Sequence, residues 1–264
     1  CYFGKAVSKE ETERLIEGPG TVLVMCDTDS GAKMSCQVRT KGRKDVFAQA
    51  AVQGFINTLG TKKITLQTDG ENSIKDLMHA VREKAKIEII YRNSPVGDHQ
   101  SNGAAENAVE KCECQVRAMT RQIESRYDVS LSPSSWIFPW IVRHASWTLT
   151  RFATHGPLKR TSYFVTRGVE YRGILAELSE CVMIRTKSLT KTKLDSRWVS
   201  GVFVGKGELT DEPLYYIQYL RQHKRRRPAA PHRGPRRPLY YIQYMTQHKR
   251  RRPAAPHSGP RQPL

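Results

Sequence analysis

The chain reads as an α/β fold on three observations. Strand-like runs end at Cys26, in the apolar stretch TVLVMC, and at Gln67, where Ile64 and Leu66 alternate with Thr65 and Gln67. Helical spacing of three and four then sets in, first over Ile74, Leu77, Met78 and Val81, and again over Ala105, Val109, Cys112, Val116, Met119 and Ile123. Past residue 155 the pattern shortens into strand-like pieces and ends in a basic, Pro-rich stretch.

Taken in order, Asp27 and Asp29 in CDTDSGA follow the first strand and read as turn formers, because Asp hydrogen-bonds its own backbone in such turns. Asp69 follows the second strand and so sits at a strand's C-terminal end. The loop from Asn93 to Gly103 carries Pro95, Gly97 and Gly103 among small polar residues and is built to bend. Glu106, three residues past Gly103, falls in the first turn of the long helix. Further on, CVMIRT is strand-like, and Trp198, Val202, Phe203 and Val204 are expected to supply one compact strand face of a small β module.

With 264 residues the chain has room for one ordinary core domain and an accessory module. Its hydrophobic fraction of 38% is low for a wholly globular protein and points to a disordered portion. Charge is uneven: of the net +19, the last 51 residues contribute 13 Lys and Arg against no acid. No run of 18 apolar residues and no signal sequence is present, which argues against a membrane protein. The six cysteines lack metal-finger spacing, so neither a zinc site nor a disulfide framework is indicated.

The tail is a tandem repeat. LYYIQYLRQHKRRRPAAPHRGPRRP from Leu214 recurs with a period of 25 from Leu239, differing at four positions. Near identity over so short a period argues for duplication rather than a folded array, and Pro, Arg and His cannot bury enough apolar area to order it. Two basic runs, Lys224, Arg225, Arg226 and Arg227, then Lys249, Arg250, Arg251 and Arg252, stand beside Tyr clusters. They suit nucleic-acid binding or nuclear import, with a bare basic tail as the alternative.

Asp69 and Glu106 are the candidate chemical residues. Displacement at a phosphodiester needs an activated oxygen nucleophile and a stabilised leaving oxygen, and two Mg²⁺ ions about 3.5–4 Å apart serve both. Such ions take carboxylate oxygens, and crowded carboxylates repel unless a cation neutralises them. Either residue alone reads as a turn former or a helix-dipole partner.

Together they carry more, because 36 residues separate them, with NSP, HQ and SNG between in order. This segment resembles the catalytic core of retroviral and retrotransposon integrases. TVLVMCDTDSGAKMSCQV is similar to that family's second and third strands with their Asp-x-x-Ser-Gly turn, and PWIVRHASWTLTRF is similar to its late core helix. The resemblance implies a ribonuclease-H-like mixed sheet flanked by helices over residues 1–155, a post-core β module over 156–212 and a disordered basic tail over 213–264. It implies Asp69 and Glu106 as catalytic and metal-binding carboxylates for two Mg²⁺ or Mn²⁺ ions. Gln100, Ser101, Asn102 and Gly103 are the implied DNA contacts, with His99 near the site.

The implied partners are DNA, as element ends and target, and further copies of the chain in a homo-oligomer, with no membrane; the implied location is the nucleus or a cytoplasmic virus-like particle. CYFGK resembles the stretch after the family's first catalytic Asp, which places that Asp two residues before Cys1 and leaves only the tail of the central first strand. On that expectation the chain as it stands is neither stable nor active. One departure is plain: Glu110 and Glu113 stand where some members carry DNA-touching lysines, so no DNA contact is transferred to that helix face. The alternative reading is a decayed or domesticated relic that binds nucleic acid only through its tail.

Overall fold

Alternation within the first strand decides the layering. The computed structural model describes residues 20–68, 71–93, 103–156, 159–185, 198–208 and 211–216. In β1 (Val22–Cys26), Leu23 and Met25 pack to one side and Val22 and Val24 to the other. β1 pairs antiparallel with β2 (Lys33–Gln37), Val22 opposite Gln37 and Cys26 opposite Lys33.

The connecting turn behaves as its residues demand. Asp27 Oδ2 accepts the Ser30 backbone N–H at 2.9 Å and also the Ser30 hydroxyl, while the Asp27 N–H donates to the Ala32 carbonyl at 2.9 Å. Gly31 has φ +74°, and a Cβ there would fall 2.6 Å from the His155 ring. Asp27 is therefore spent on the turn.

Two helices cover the Leu23 side. α1 (Val46–Leu59) starts at Asp45, whose Oδ1 accepts the Ala48 N–H at 3.0 Å, and stops at Gly60 in the left-handed region. α2 (Asn72–Lys84) buries Leu77, Met78, Ala80 and Val81, which fulfils the spacing seen in the sequence. Beneath them run β3 (Lys63–Thr68) and β4 (Glu88–Asn93), parallel, with Ile64 opposite Ile89 and Thr68 opposite Asn93. Leu66, Ile89, Met34 and Cys36 join Val52, Phe55, Leu77 and Val81 in one core.

The Val22 side is closed by α3 (Gly103–Tyr127) and α4 (Phe138–Phe152). Val116, Met119 and Ile123 meet Phe138, Ile141, Val142 and Ala145 there. Each fully buried aliphatic or aromatic side chain contributes roughly 1.5–3 kcal/mol. The result is a three-layer α/β arrangement in which, among the described residues, β1–β2 and β3–β4 form separate pairs.

α4 also completes β2. On the side of β2 away from β1, the Lys33 N–H donates to Thr150 Oγ1 at 2.9 Å and the Ser35 N–H to Ser146 Oγ at 2.9 Å. The Thr150 hydroxyl returns a bond to the Lys33 carbonyl at 3.1 Å, and the Ser35 hydroxyl donates to the Val142 carbonyl at 2.6 Å.

After α4 come β5 (Thr154–His155), β6 (Arg160–Thr161) and α5 (Ser162–Arg167). A separate antiparallel sheet follows, of β7 (Cys181–Arg185), β8 (Trp198–Lys206) and β9 (Pro213–Tyr216), in the order β7-β8-β9. Three expectations change here. β9 occupies residues assigned above to the tail, because Leu214 and Tyr215 are 1% and 7% exposed and belong to the sheet. Trp198 does not join the buried face: it is 46% exposed, while Phe203 and Val204 are covered. In α3, Ala105 is exposed and Ala108 takes its place in the buried stripe, because the first turn projects beyond the packed layer.

Candidate functional site

β3 and β4 run in the same direction and end in register at Thr68 and Asn93, so the chain leaves both strands at one edge. That edge is where open α/β sheets place ligands. The Thr68 hydroxyl lies 3.4 Å from the Tyr91 hydroxyl, and the Tyr91 ring stacks on His79 of α2 at 5.3 Å. These contacts fix the end of β3 one residue before Asp69. Asp69 itself, Gln100, Ser101 and Asn102, and with them His99, lie outside the described residues, as do Lys224 to Arg227 and Lys249 to Arg252.

Gly103 and Glu106 are described. Gly103 opens α3, and a Cβ there would meet nothing within 4 Å, so crowding does not require glycine at this position. Glu106 stands in the first turn, exposed, and has no hydrogen bond or ion pair with any described residue. The turn is anchored one step earlier, where the Cys26 thiol donates to the Ala104 carbonyl at 3.5 Å. The end of β1 and the start of α3 therefore adjoin. Burial pushes the Cys26 thiol up, partly opposed by Lys33.

Glu71, two residues past Asp69, is not available as a further ligand. Its Oε1 accepts Lys41 Nζ at 2.7 Å and the Ser73 hydroxyl at 2.6 Å. Burial raises its carboxyl, but those two hydrogen bonds and the Lys41 charge outweigh it and hold the group below the usual carboxylate range. Among the described residues no three His, Cys, Asp or Glu side chains gather as a metal cluster.

A second polar constellation escaped the sequence reading. His144, Trp147 and Arg151 lie at spacings of three and four on α4 and form the surface on which β8 docks. Arg151, 7% exposed, donates to Asp211 Oδ1 at 2.8 Å and lies 4.2 Å over the Trp147 ring. His144 stacks on Trp147 at 5.4 Å and meets Phe203 edge-on at 6.0 Å. Burial, reinforced by Arg151, Arg143 and Lys206, pushes its imidazole down to about 4. Gly205 of β8, at φ +123°, presses against it so closely that a Cβ would lie 3.1 Å from His144 Nδ1.

Beside this dock lies a cavity of about 330 Å³ between α1, α4, α5 and the turn after β8. Its lining includes Trp147, Arg151, Tyr163 and Asp211 and none of the β3, β4 or α3 residues. The signal for the dock was present as a helix face mixing His, Trp and Arg. Its partner Asp211 could not be paired with it from spacing.

No protein-family model matches the chain, and no curated protein matches it. Among solved structures, a chain of the simian T-cell lymphotropic virus intasome, in complex with PP2A regulatory subunit B56 gamma, is similar at a TM-score of 0.43 and 14% identity. The match covers 76% of this chain and 67% of that one. Among the described residues no helix is long and apolar enough to cross a membrane.

Proposed function

We propose that this chain carries the catalytic core of a retroelement integrase, a polynucleotidyl transferase that hydrolyses a DNA 3′ end and joins the freed 3′-OH to target DNA. The reading rests on one observation: the segment from Ile64 to Val109 sets a carboxylate directly after a strand and another in a helix's first turn, joined by a Pro-, Gln-, Ser- and Gly-bearing loop. What the fold adds is a Glu106 carboxylate with no partner among the described residues, on a helix anchored beside the end of β1, and a parallel β3–β4 pair whose ends share an edge. The antiparallel β1–β2 pair and the parallel β3–β4 pair pack on the same helices as a mixed α/β fold.

Asp69 and Glu106 would hold two Mg²⁺ or Mn²⁺ ions, whose hard charge suits two carboxylates. Two ions held there would supply a lowered pKa for the attacking oxygen and stabilisation for the leaving one. The chain's own part is to hold the carboxylates. Gln100, Ser101, Asn102 and Gly103 would meet the DNA end, and joining two ends implies more than one copy of the chain.

The test is Asp69→Asn and Glu106→Gln in the full protein. Loss of Mg²⁺-dependent cleavage with DNA affinity kept supports the enzyme. Turnover unchanged by both substitutions refutes it. The excess of 13 basic residues in the last 51 favours a second reading, a relic that binds nucleic acid through its tail alone. Affinity falling steeply with salt, indifferent to Asp69→Asn, with no turnover in the full protein, would select that reading.

A further inference from the structure

The cavity beside the α4 dock plays no part in the chemistry proposed above, since no residue of β3, β4 or α3 lines it. Its volume of about 330 Å³ is that of a small-molecule site. Phe55 and Leu59 of α1 and Trp147 of α4 supply an apolar wall, and Phe55 and Trp147 are buried.

Charge on the other walls is almost balanced, and the remainder decides the ligand. Asp211 is held by Arg151 at 2.8 Å, and Glu208 by Arg143 at 3.6 Å. Arg167, in the last turn of α5, is exposed and has no ion pair or hydrogen bond with any described residue. One positive charge is therefore left over beside an apolar wall.

Hydrogen-bonding capacity points the same way. The Thr58 and Thr166 hydroxyls donate to the Phe55 and Ser162 carbonyls at 2.6 and 3.1 Å, and the Thr150 hydroxyl to the Lys33 carbonyl at 3.1 Å. Lys33 Nζ is committed to the Gly31 carbonyl at 2.7 Å, and Trp147 Nε1, though without a partner, is itself buried. Among the described residues, the Arg167 guanidinium and the Tyr163 hydroxyl are the donors at the cavity with no acceptor. They stand four residues apart on α5 and so share one helix face. Two donors one turn apart match the two oxygens of a carboxylate.

We propose that this cavity binds a small apolar carboxylate, its oxyanion held by Arg167 and Tyr163 and its hydrocarbon body set against Phe55, Leu59 and Trp147. Such a ligand leaves the Arg151–Asp211 and Arg143–Glu208 pairs in place, so no buried charge loses its partner. A cationic ligand would add to a positive charge that is already unbalanced, and a neutral one would gain nothing from it. The site does not depend on the integrase reading.

Saturation-transfer NMR with phenylpropionate on the full chain tests this, with phenylpropanamide as the neutral molecule of the same shape. The carboxylate should bind with a dissociation constant on the order of a millimolar, and the amide about tenfold more weakly. Arg167→Ala should weaken the carboxylate about tenfold and leave the amide unchanged. Tyr163→Phe, which keeps the ring, should weaken the carboxylate about threefold. Leu59→Trp fills the cavity and should abolish binding of both. The comparison of carboxylate with amide needs no variant, so it decides the matter even where a substitution unfolds the chain. Absence of carboxylate binding, equal affinity for the two molecules, or carboxylate affinity unchanged by Arg167→Ala would overturn the proposal. Binding that persists in a folded Leu59→Trp variant would overturn it as well, because the ligand would then sit elsewhere.

Discussion

Glu106 and Arg151 are both charged residues on helices of the same layer, and the fold treats them in opposite ways. Glu106 is exposed in a first turn and has no partner among the described residues. Arg151 is 7% exposed and is engaged by Asp211, the Glu208 carbonyl and the faces of Trp147, Tyr163 and Tyr171. A buried charge must be satisfied by the protein itself, whereas an exposed carboxylate can wait for a ligand. The α4 dock therefore satisfies its buried charge internally, whereas Glu106 stays exposed among the described residues.

This contrast breaks most sharply at Glu106. On the proposed integrase reading, Glu106→Gln should lower Mg²⁺-dependent strand transfer by the full protein by about a thousandfold, roughly 4 kcal/mol of barrier, and leave the urea midpoint unchanged. A shifted midpoint would show that Glu106 is structural after all.

The dock should answer to acid. The folded-state pKa of His144 is depressed to about 4, so the unfolded chain binds the extra proton first as pH falls. Stability is full above about pH 6.5 and is lost progressively down to pH 4, by about 3 kcal/mol in total. Urea titrations at pH 7, 5 and 4 should show that slope, and His144→Phe should flatten it.

Arg151→Ala removes a buried cation and its cover over Trp147, but its partner Asp211 is 32% exposed and can rehydrate. The expected cost is about 2 kcal/mol, read from chemical denaturation. Gly31→Ala imposes φ +74° on an L side chain and pushes on His155, for about 1–2 kcal/mol. Trp198→Ser should change stability by less than about 0.5 kcal/mol, since Trp198 is nearly half exposed.

The sequence showed what is periodic or local. Leu77, Met78 and Val81 announced α2 by spacing, and the Asp27, Ser30 and Gly31 turn followed from residue types alone, which is why Asp27 could be set aside as a metal ligand. The Ala105 stripe failed by one position, because periodicity gives a face and not where the neighbouring layer ends. The assignment of residues 213–216 to the tail failed for a related reason. A Leu-Tyr-Tyr segment beside a Pro-Arg tract carries the tract's composition, and only the long-range pairing with β8 shows that it is core. The His144–Trp147–Arg151 dock was hidden because its partners Phe203, Gly205 and Asp211 are more than fifty residues away. Asp69 stands outside the described residues, so its place relative to Glu106 rests on sequence.

The hydroxyls of Ser146 and Thr150 have a consequence for association. They are one helical turn apart and take up the Lys33 and Ser35 N–H groups that another strand would otherwise seek. That flank of β2 cannot template edge-to-edge growth, so any association of this chain with a copy of itself uses other surfaces. Removing both hydroxyls would expose a two-residue adhesive edge, and aggregation rather than unfolding should be its first symptom.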